Sequence, residues 1–190
     1  MKYSSRVADA MVFAYQAHKD QTRKQSPIPY LAHPLAVASL VAVHGGVEDQ
    51  FTGALLHDTA EDQGGREMLE KVRAQFGDTV AKLVEWCSDT LEEVKPPWRP
   101  RKEAFIKRMA IAPEAVRLIM AADKFDNAKA ILRDYRELDN EVFERFTGGK
   151  EGTLWYYENI LKALETGWDH PILDELGEVV NTLLSEAGDE

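Results

Sequence analysis

The chain has 190 residues, 44% of them hydrophobic, and its 33 acidic and 23 basic side chains give a formal net charge of −10. This charge argues against a general nucleic-acid or anionic-membrane surface, because both need a basic face, although a local group of Lys and Arg can still hold a small polyanion. The length predicts one domain over residues 1–190, and the single cysteine, Cys87, fits a reducing compartment.

No segment has the pattern of a signal peptide or of a membrane span. The first residues lead into an amphipathic helix instead of an apolar stretch. The longest apolar run, residues 36–43 interrupted only by Ser39, is too short to cross a bilayer. We therefore expect a cytoplasmic protein that binds neither membranes nor nucleic acid, while its oligomeric state stays open.

Apolar residues recur at helical spacing along most of the chain. The predicted helices cover residues 4–18, 35–44, 48–62, 68–76, 80–87, 101–111 and 113–136, then a helix that follows a break at Gly148-Gly149 and runs through 155–157 to residue 164, and a last helix over 171–187. Two polar segments with prolines, residues 19–30 and 91–100, are predicted loops. Because no sustained period-two alternation and no Asn-Gly hairpin occur, the sequence predicts an all-α fold of eight to ten helices.

One stretch, residues 53–62, concentrates side chains with metal-binding or acid/base chemistry. An apolar run leads into His57, Asp58, Glu61 and Asp62, and we expect a single helix to carry all four. On that helix His57 and Glu61 share a face, as do Asp58 and Asp62, because residues four apart lie one turn above each other. The alternative is a solvated acidic helix end, so further ligands are needed elsewhere.

Two other segments supply such ligands. His33 precedes Pro34 at the start of a predicted helix, and a neutral imidazole there is a reasonable metal ligand. Asp123 follows an apolar run with Asn127 one turn later, and a carboxylate in that position needs a cation, a helix N-terminus or a metal as partner. Imidazoles combined with carboxylates indicate a catalytic divalent ion such as Mn²⁺, Fe²⁺ or Zn²⁺ instead of a structural zinc.

The loop before His33 carries the adjacent cations Arg23 and Lys24. They are either a solvated basic turn or a clamp for an anion.

The order His33, His57-Asp58, Asp123 resembles the pattern of HD-domain metal-dependent phosphohydrolases, which implies a single compact helical bundle. The segments that carry a closer resemblance are Arg23-Lys24, Pro29-Tyr30-Leu31-Ala32-His33-Pro34, Ala54-Leu55-Leu56-His57-Asp58-Thr59-Ala60-Glu61-Asp62 and Ala122-Asp123-Lys124 with Asn127. They are similar to the hydrolase domain of RelA/SpoT-type enzymes and small alarmone hydrolases, which remove the 3′-pyrophosphate from (p)ppGpp with Mn²⁺. The resemblance covers roughly residues 1–165 and leaves residues 166–190 as a C-terminal helical extension.

The resemblance also implies residue roles. The implied metal ligands are His33, His57, Asp58 and Asp123, and the implied acid/base and water-orienting residues are Glu61 and Asp62. The implied substrate contacts are phosphate contacts from Arg23, Lys24 and Lys102, a nucleotide contact from Asn127 and a ribose contact from Tyr156. The chain departs from the usual Asp-Lys-Leu-x-Asn-Leu, since it reads Asp123-Lys124-Phe125-Asp126-Asn127-Ala128. Asp126 therefore adds negative charge near the expected site of a polyanion.

Three alternatives remain open from the sequence. The chain can be an HD nucleotidase acting on another nucleotide, such as a deoxynucleoside monophosphate or an adenine alarmone. It can be a metal-binding HD sensor that binds a nucleotide without turnover. It can also be a helical interaction module without a metal, which would make the spacing of four candidate ligands a coincidence.

Overall fold

The computed structural model describes residues 2–188, and within them the chain forms nine α-helices, one 3₁₀ segment and no β-strand. The helices are α1 (Arg6–His18), α2 (Ala32–Val43), α3 (Glu48–Leu56), α4 (Thr59–Asp62), α5 (Gly65–Cys87), α6 (Trp98–Met109), α7 (Glu114–Leu138), α8 (Gly149–Glu165) and α9 (Pro171–Gly188). The 3₁₀ segment, Asp139–Arg145, follows α7. The predicted all-α bundle is confirmed. None of the described helices is both long enough and apolar enough to span a bilayer.

Helix α7 lies at the centre of the bundle. Helices α2 and α9 pack along it, and α3, α5 and α8 also contact it. Its first half is almost entirely buried, including Ile119, Ala121 and Ala122, which have no exposed surface. Because neighbouring helices surround this half of α7, the backbone at Asp123 is held rigidly. The Asp123 side chain faces His33 of α2 and His57 at the end of α3.

The prediction of one continuous helix through residues 53–62 is wrong, because α3 ends at Leu56 and α4 begins at Thr59. Two side chains explain the break. The Nδ1 atom of His57 lies 2.8 Å from the carbonyl oxygen of Ala54, and the Thr59 hydroxyl donates to the carbonyl oxygen of Leu56 at 2.7 Å. Side chains that take backbone carbonyls in this way compete with the helical hydrogen-bond ladder. His57 and Asp58 thus occupy a turn between two helices.

Among the helix starts that differ from the prediction are those of α2 and α6, each of which has a proline in its first turn. Helix α2 begins at Ala32, so His33 and Pro34 lie inside its first turn. Helix α6 begins at Trp98 and includes Pro100 within its first turn. Proline is tolerated there because the first N–H groups of a helix have no acceptor within the helix. The loop predicted over residues 91–100 therefore ends at residue 97, where α6 follows.

Trp98 fixes the start of α6 against α8. Its ring lies against Gly148 and Gly152, and a Cβ atom built at these glycines would stand 2.7 and 3.0 Å from ring atoms. Real Cβ atoms essentially never approach as closely as the first distance. The backbone at the start of α8 can therefore approach the ring because Gly148 lacks a side chain, and a side chain at Gly152 would also make a tight contact.

Candidate active site

Three side chains predicted as metal ligands meet where α2 faces the turn between α3 and α4. One ligand atom each from His33, His57 and Asp58 lies within 4.8 Å of the other two. The Oδ2 atom of Asp58 is 3.1 Å from Nε2 of His57 and 3.6 Å from Nε2 of His33. Both histidines are buried, and the Asp58 side chain is 22% exposed, so the cluster opens to solvent on the carboxylate side.

The fourth predicted ligand, Asp123, lies beside this cluster. Its Oδ1 atom is 3.2 Å from Nε2 of His33 and 3.9 Å from Nε2 of His57. Its Oδ2 atom is 2.7 Å from Nζ of Lys124, which provides the cation partner that its burial requires. The structure thus brings together all four residues that the sequence predicted as metal ligands.

The outer nitrogens of both histidines are held by acceptors. Nδ1 of His33 lies 2.6 Å from Oδ2 of Asp126, and Nδ1 of His57 lies 2.8 Å from the carbonyl oxygen of Ala54. Since these partners accept, the Nδ1 atoms carry the protons and the lone pairs of the neutral rings lie on Nε2. Neither Nε2 atom has a hydrogen-bond partner among residues 2–188, although both are buried. Two orphaned imidazole nitrogens aimed at two carboxylates fit a divalent metal ion.

The electrostatics of the cluster keep its carboxylates ionised. Burial alone would raise the pKa of Asp58, but the neighbouring His57 and His33 hold this pKa well below its usual range. Burial opposes ionisation of Asp123 in the same way, and Lys124 and the two histidines outweigh it, so the Asp123 pKa is also lowered. Burial lowers the pKa of His57, yet the charges of Asp58 and Asp123 raise it to about 9.

Tyr30 supports Asp58 from the loop before α2. Its hydroxyl donates to Oδ2 of Asp58 at 2.6 Å. Burial and the adjacent carboxylates Asp58 and Asp62 raise the pKa of Tyr30, so its hydroxyl keeps the proton that it donates. Tyr30 belongs to a segment that carries the family resemblance, but the sequence did not predict its hydrogen bond to Asp58.

The cluster forms part of the wall of a cleft of about 630 Å³. Every one of the predicted site residues lines this cleft except His57, which is buried behind Asp58. The two predicted acid/base residues follow Asp58 by one turn and are held by different segments. Asp62 accepts from Nε2 of Gln21 at 2.8 Å. Glu61 accepts from the backbone N–H of Asp89 at 2.8 Å and lies 3.0 Å from Nζ of Lys95.

The predicted nucleotide and phosphate contacts lie around the same cleft. Arg23 donates to Oδ1 of Asn127 at 2.6 Å, which links the loop to α7. Nζ of Lys102 lies 4.8 Å from the centre of the Tyr156 ring and 2.6 Å from Oδ2 of Asp89. The hydroxyl of Tyr156 is buried and has no hydrogen-bond partner among the described residues.

Four cations gather near the acidic pair, and they are Lys24, Lys95, Arg101 and Lys102. Burial lowers the pKa of Lys24, and the charge of Lys102 lowers it further. Such mutual repulsion among cations is relieved when a polyanion enters.

Several residues of this site could not be predicted from the sequence. Lys95 and Arg101 lie in or beside a proline-rich loop whose path no local pattern reveals. Gln21 and Asp89 act only through partners in distant segments. Asp126 was predicted to lie near the site, since it follows Asp123 by three residues on the same helix, but the sequence did not indicate its contact with His33.

A comparison with family models identifies the chain. The model described as an HD domain matches residues 10–153, which include the whole cluster and Glu61 and Asp62. The chain belongs to the HD-domain family.

Relatives of this HD protein have named activities. A guanosine-3′,5′-bis(diphosphate) 3′-pyrophosphohydrolase of Xenopus tropicalis is 32% identical over 174 residues, which are 89% of this chain and 94% of that protein. The human protein with the same activity name is 30% identical over 172 residues, covering 85% of this chain and 93% of that one.

Two solved structures are similar to the HD protein. That of a Listeria monocytogenes EGD-e protein has a TM-score of 0.71 and 29% identity, and the alignment covers 80% of this chain and 99% of that chain. That of a metazoan ortholog of SpoT, described as hydrolyzing ppGpp, has a TM-score of 0.76 at 23% identity, covering 96% and 97% of the two chains. The second likeness shows a shared fold.

Proposed function

We propose that this protein is a metal-dependent hydrolase that removes the 3′-pyrophosphate from guanosine 3′,5′-bis(diphosphate) or a related alarmone. The observation that carries the proposal is the pair of orphaned Nε2 atoms of His33 and His57, aimed at Asp58 and Asp123 on the wall of a cleft lined with cations. The named activity of relatives that align over most of both chains supports the same reaction and substrate.

The metal site is assigned to His33, His57, Asp58 and Asp123, with Mn²⁺ as the proposed ion. An ion held there would supply Lewis acidity toward a phosphoryl oxygen and toward water. The residues of the chain hold the ligand atoms in place, since Asp126 and the carbonyl oxygen of Ala54 fix both histidine rings.

Glu61 and Asp62 are the proposed proton-handling residues. Both are cleft carboxylates one turn beyond Asp58, so they can orient and deprotonate a water at the scissile phosphorus. Arg23, Lys24 and Lys102 would hold the phosphates and stabilise the charge that develops on the departing pyrophosphate. Asn127 and Tyr156 would contact the nucleoside.

We also propose that residues 1–190 act as one unit in the cytoplasm, with an HD core over residues 1–165 and residues 166–190 as its helical extension. Support for the single unit comes from α9, whose buried side chains include Ile172, Leu176 and Val180 and which packs along α7, the helix that carries Asp123.

The test is release of pyrophosphate from guanosine 3′,5′-bis(diphosphate) by the purified chain with Mn²⁺ and after chelation. The adenine analogue and a deoxynucleoside monophosphate are assayed beside it. Metal-dependent pyrophosphate release from an alarmone is the expected result. Phosphate release from the monophosphate alone would instead identify an HD nucleotidase, and binding of the alarmone without turnover would identify a sensor.

Two variants separate the metal site from the acid/base pair. Asp58→Asn is expected to abolish turnover and the rise in Tm that Mn²⁺ causes, because a metal ligand is lost. Glu61→Gln is expected to keep the Tm rise and to lower kcat by about 10²- to 10⁴-fold. The matched control is Glu178→Gln on the exposed side of α9, which should change neither quantity. Full activity in either site variant contradicts the assignment.

A further inference from the structure

The proposed mechanism leaves one buried histidine without a role. His18, the last residue of α1, is 1% exposed, and its ring centre lies 4.9 Å from that of Tyr30. Its Nδ1 atom is 2.7 Å from Oε1 of Gln21, the residue whose amide contacts Asp62. A polar ring buried this completely requires an explanation, because burial without a hydrogen-bond partner is costly.

The hydrogen-bond chain from His18 to Asp62 has only one consistent arrangement. An ionised carboxylate can only accept, so the amide of Gln21 must present Nε2 to Oδ2 of Asp62, 2.8 Å away. Oε1 of Gln21 then faces the other way and accepts from Nε2 of Gln63 at 2.9 Å. It also accepts from His18, which must therefore carry its proton on Nδ1.

Asp62 needs such support because of its place in the chain. It is the last residue of α4, a helix of only four residues. Glu61 beside it is held separately, through the backbone of Asp89 and through Lys95. The two acids are thus anchored by different segments, Asp62 by α1 and the loop that follows it, and Glu61 by the loop before α6.

We propose that Gln21 and His18 are positioning residues that hold the carboxylate of Asp62 in its working orientation. The inference rests on the proposed function, in which Asp62 handles the proton of the attacking water. His18 fixes the amide of Gln21, and the Gln21 N–H fixes Oδ2 of Asp62. The other carboxylate oxygen is left for the water.

The test begins with Gln21→Met, which keeps the length of the side chain and removes its hydrogen bonds. We expect kcat to fall by about 10- to 100-fold, the loss typical of a slightly misplaced group. KM and the Mn²⁺-induced rise in Tm should stay unchanged. In an Asp62→Asn background the same change should not lower kcat further, because the effects of two residues that act through one contact are not additive.

Controls separate positioning from general damage. Gln16→Met, an exposed glutamine on α1, should leave kcat unchanged. His18→Phe keeps an aromatic ring against Tyr30 and removes the Nδ1 donor, and it should lower kcat in the same direction as Gln21→Met. Unchanged kcat in Gln21→Met, or an equal loss in the Asp62→Asn background, overturns the inference.

A structural readout keeps this inference distinct from the proposed function. In crystals of Gln21→Met the Asp62 carboxylate should leave the rotamer that it has in the unmodified protein, whether or not the chain releases pyrophosphate. An unchanged rotamer overturns the positioning role. Absence of pyrophosphate release by the unmodified protein overturns the proposed function alone.

Discussion

Asp126 shows how the role of a single residue depends on a contact far along the chain. In the sequence it is an extra negative charge near the expected site of a polyanion. In the structure its carboxylate lies 2.6 Å from Nδ1 of His33, a residue 93 positions earlier. The charge is therefore directed at the ring and orients Nε2 of His33 toward Asp58 and Asp123.

Asp126→Asn is expected to weaken metal binding. The amide is a poorer acceptor for the His33 N–H, and loss of such outer partners typically lowers metal affinity by about 10- to 100-fold. The measurement is the Mn²⁺ concentration at which Tm has risen halfway, and kcat should recover at saturating Mn²⁺. Asp174→Asn on the exposed surface of α9 is the control. An unchanged midpoint in the Asp126 variant would argue against a metal site at His33.

The residues of the cluster could be predicted from the sequence, whereas the residues that hydrogen-bond to the site carboxylates could not. His57-Asp58 and Asp123 follow apolar helical runs, so their placement between core and cleft is readable from spacing and from the family resemblance. Gln21 and Tyr30 lie on a loop, and their partners Asp62 and Asp58 depend on where that loop packs. Helical periodicity tells which residues share a face but not what lies against that face.

At the scale of elements, the sequence predicted the helices better than their ends. The break at His57-Asp58 arises because side chains take carbonyl oxygens from the helical ladder, which apolar spacing does not reveal. The sequence predicts separate helices over residues 68–76 and 80–87, and α5 has a kink between these two stretches at Gly77. Gly77 has φ 88° and ψ 169°, a conformation that residues with a side chain rarely adopt.

Two glycine substitutions test this view of α5. Gly77→Ala should destabilise the protein by about 1–3 kcal/mol through backbone strain alone, because open space surrounds the position. Gly177→Ala in α9 is the matched control, also in open space but without a positive φ. It should stabilise the protein by about 0.5–1 kcal/mol through helix propensity. Urea unfolding measures both, and equal effects of the two changes would contradict the kink.

At the scale of the molecule, an acidic protein gathers a local group of cations in its cleft. The net charge is −10, yet Lys24, Lys95, Arg101 and Lys102 gather around the proposed phosphate path. The Debye length is about 10 Å at 0.1 M salt, so the distant acidic surface is largely screened from the substrate at that concentration. The salt dependence that remains above 0.1 M should therefore come from the cleft cations.

We expect KM for the alarmone to rise from about 0.1 to 0.5 M salt while kcat changes little, because screening weakens phosphate binding. Steady-state kinetics across this range provide the measurement. Lys102→Met should raise KM and flatten its dependence on salt, since one of the cations responsible is gone. Lys82→Met on the exposed side of α5 serves as the control and should keep the original slope. A KM that falls as the salt concentration rises would instead indicate that repulsion by the acidic surface dominates substrate binding.

The close contact of Trp98 with Gly148 and Gly152 has an evolutionary consequence. A ring at position 98 leaves no room for a methyl group at position 148, where a Cβ atom would stand 2.7 Å from it. Positions 98 and 148 are thus constrained together although they lie at the starts of two different helices. Homologous sequences are expected to keep this tryptophan and the glycine at 148 as a pair, or to exchange both, so the positions should covary across the family.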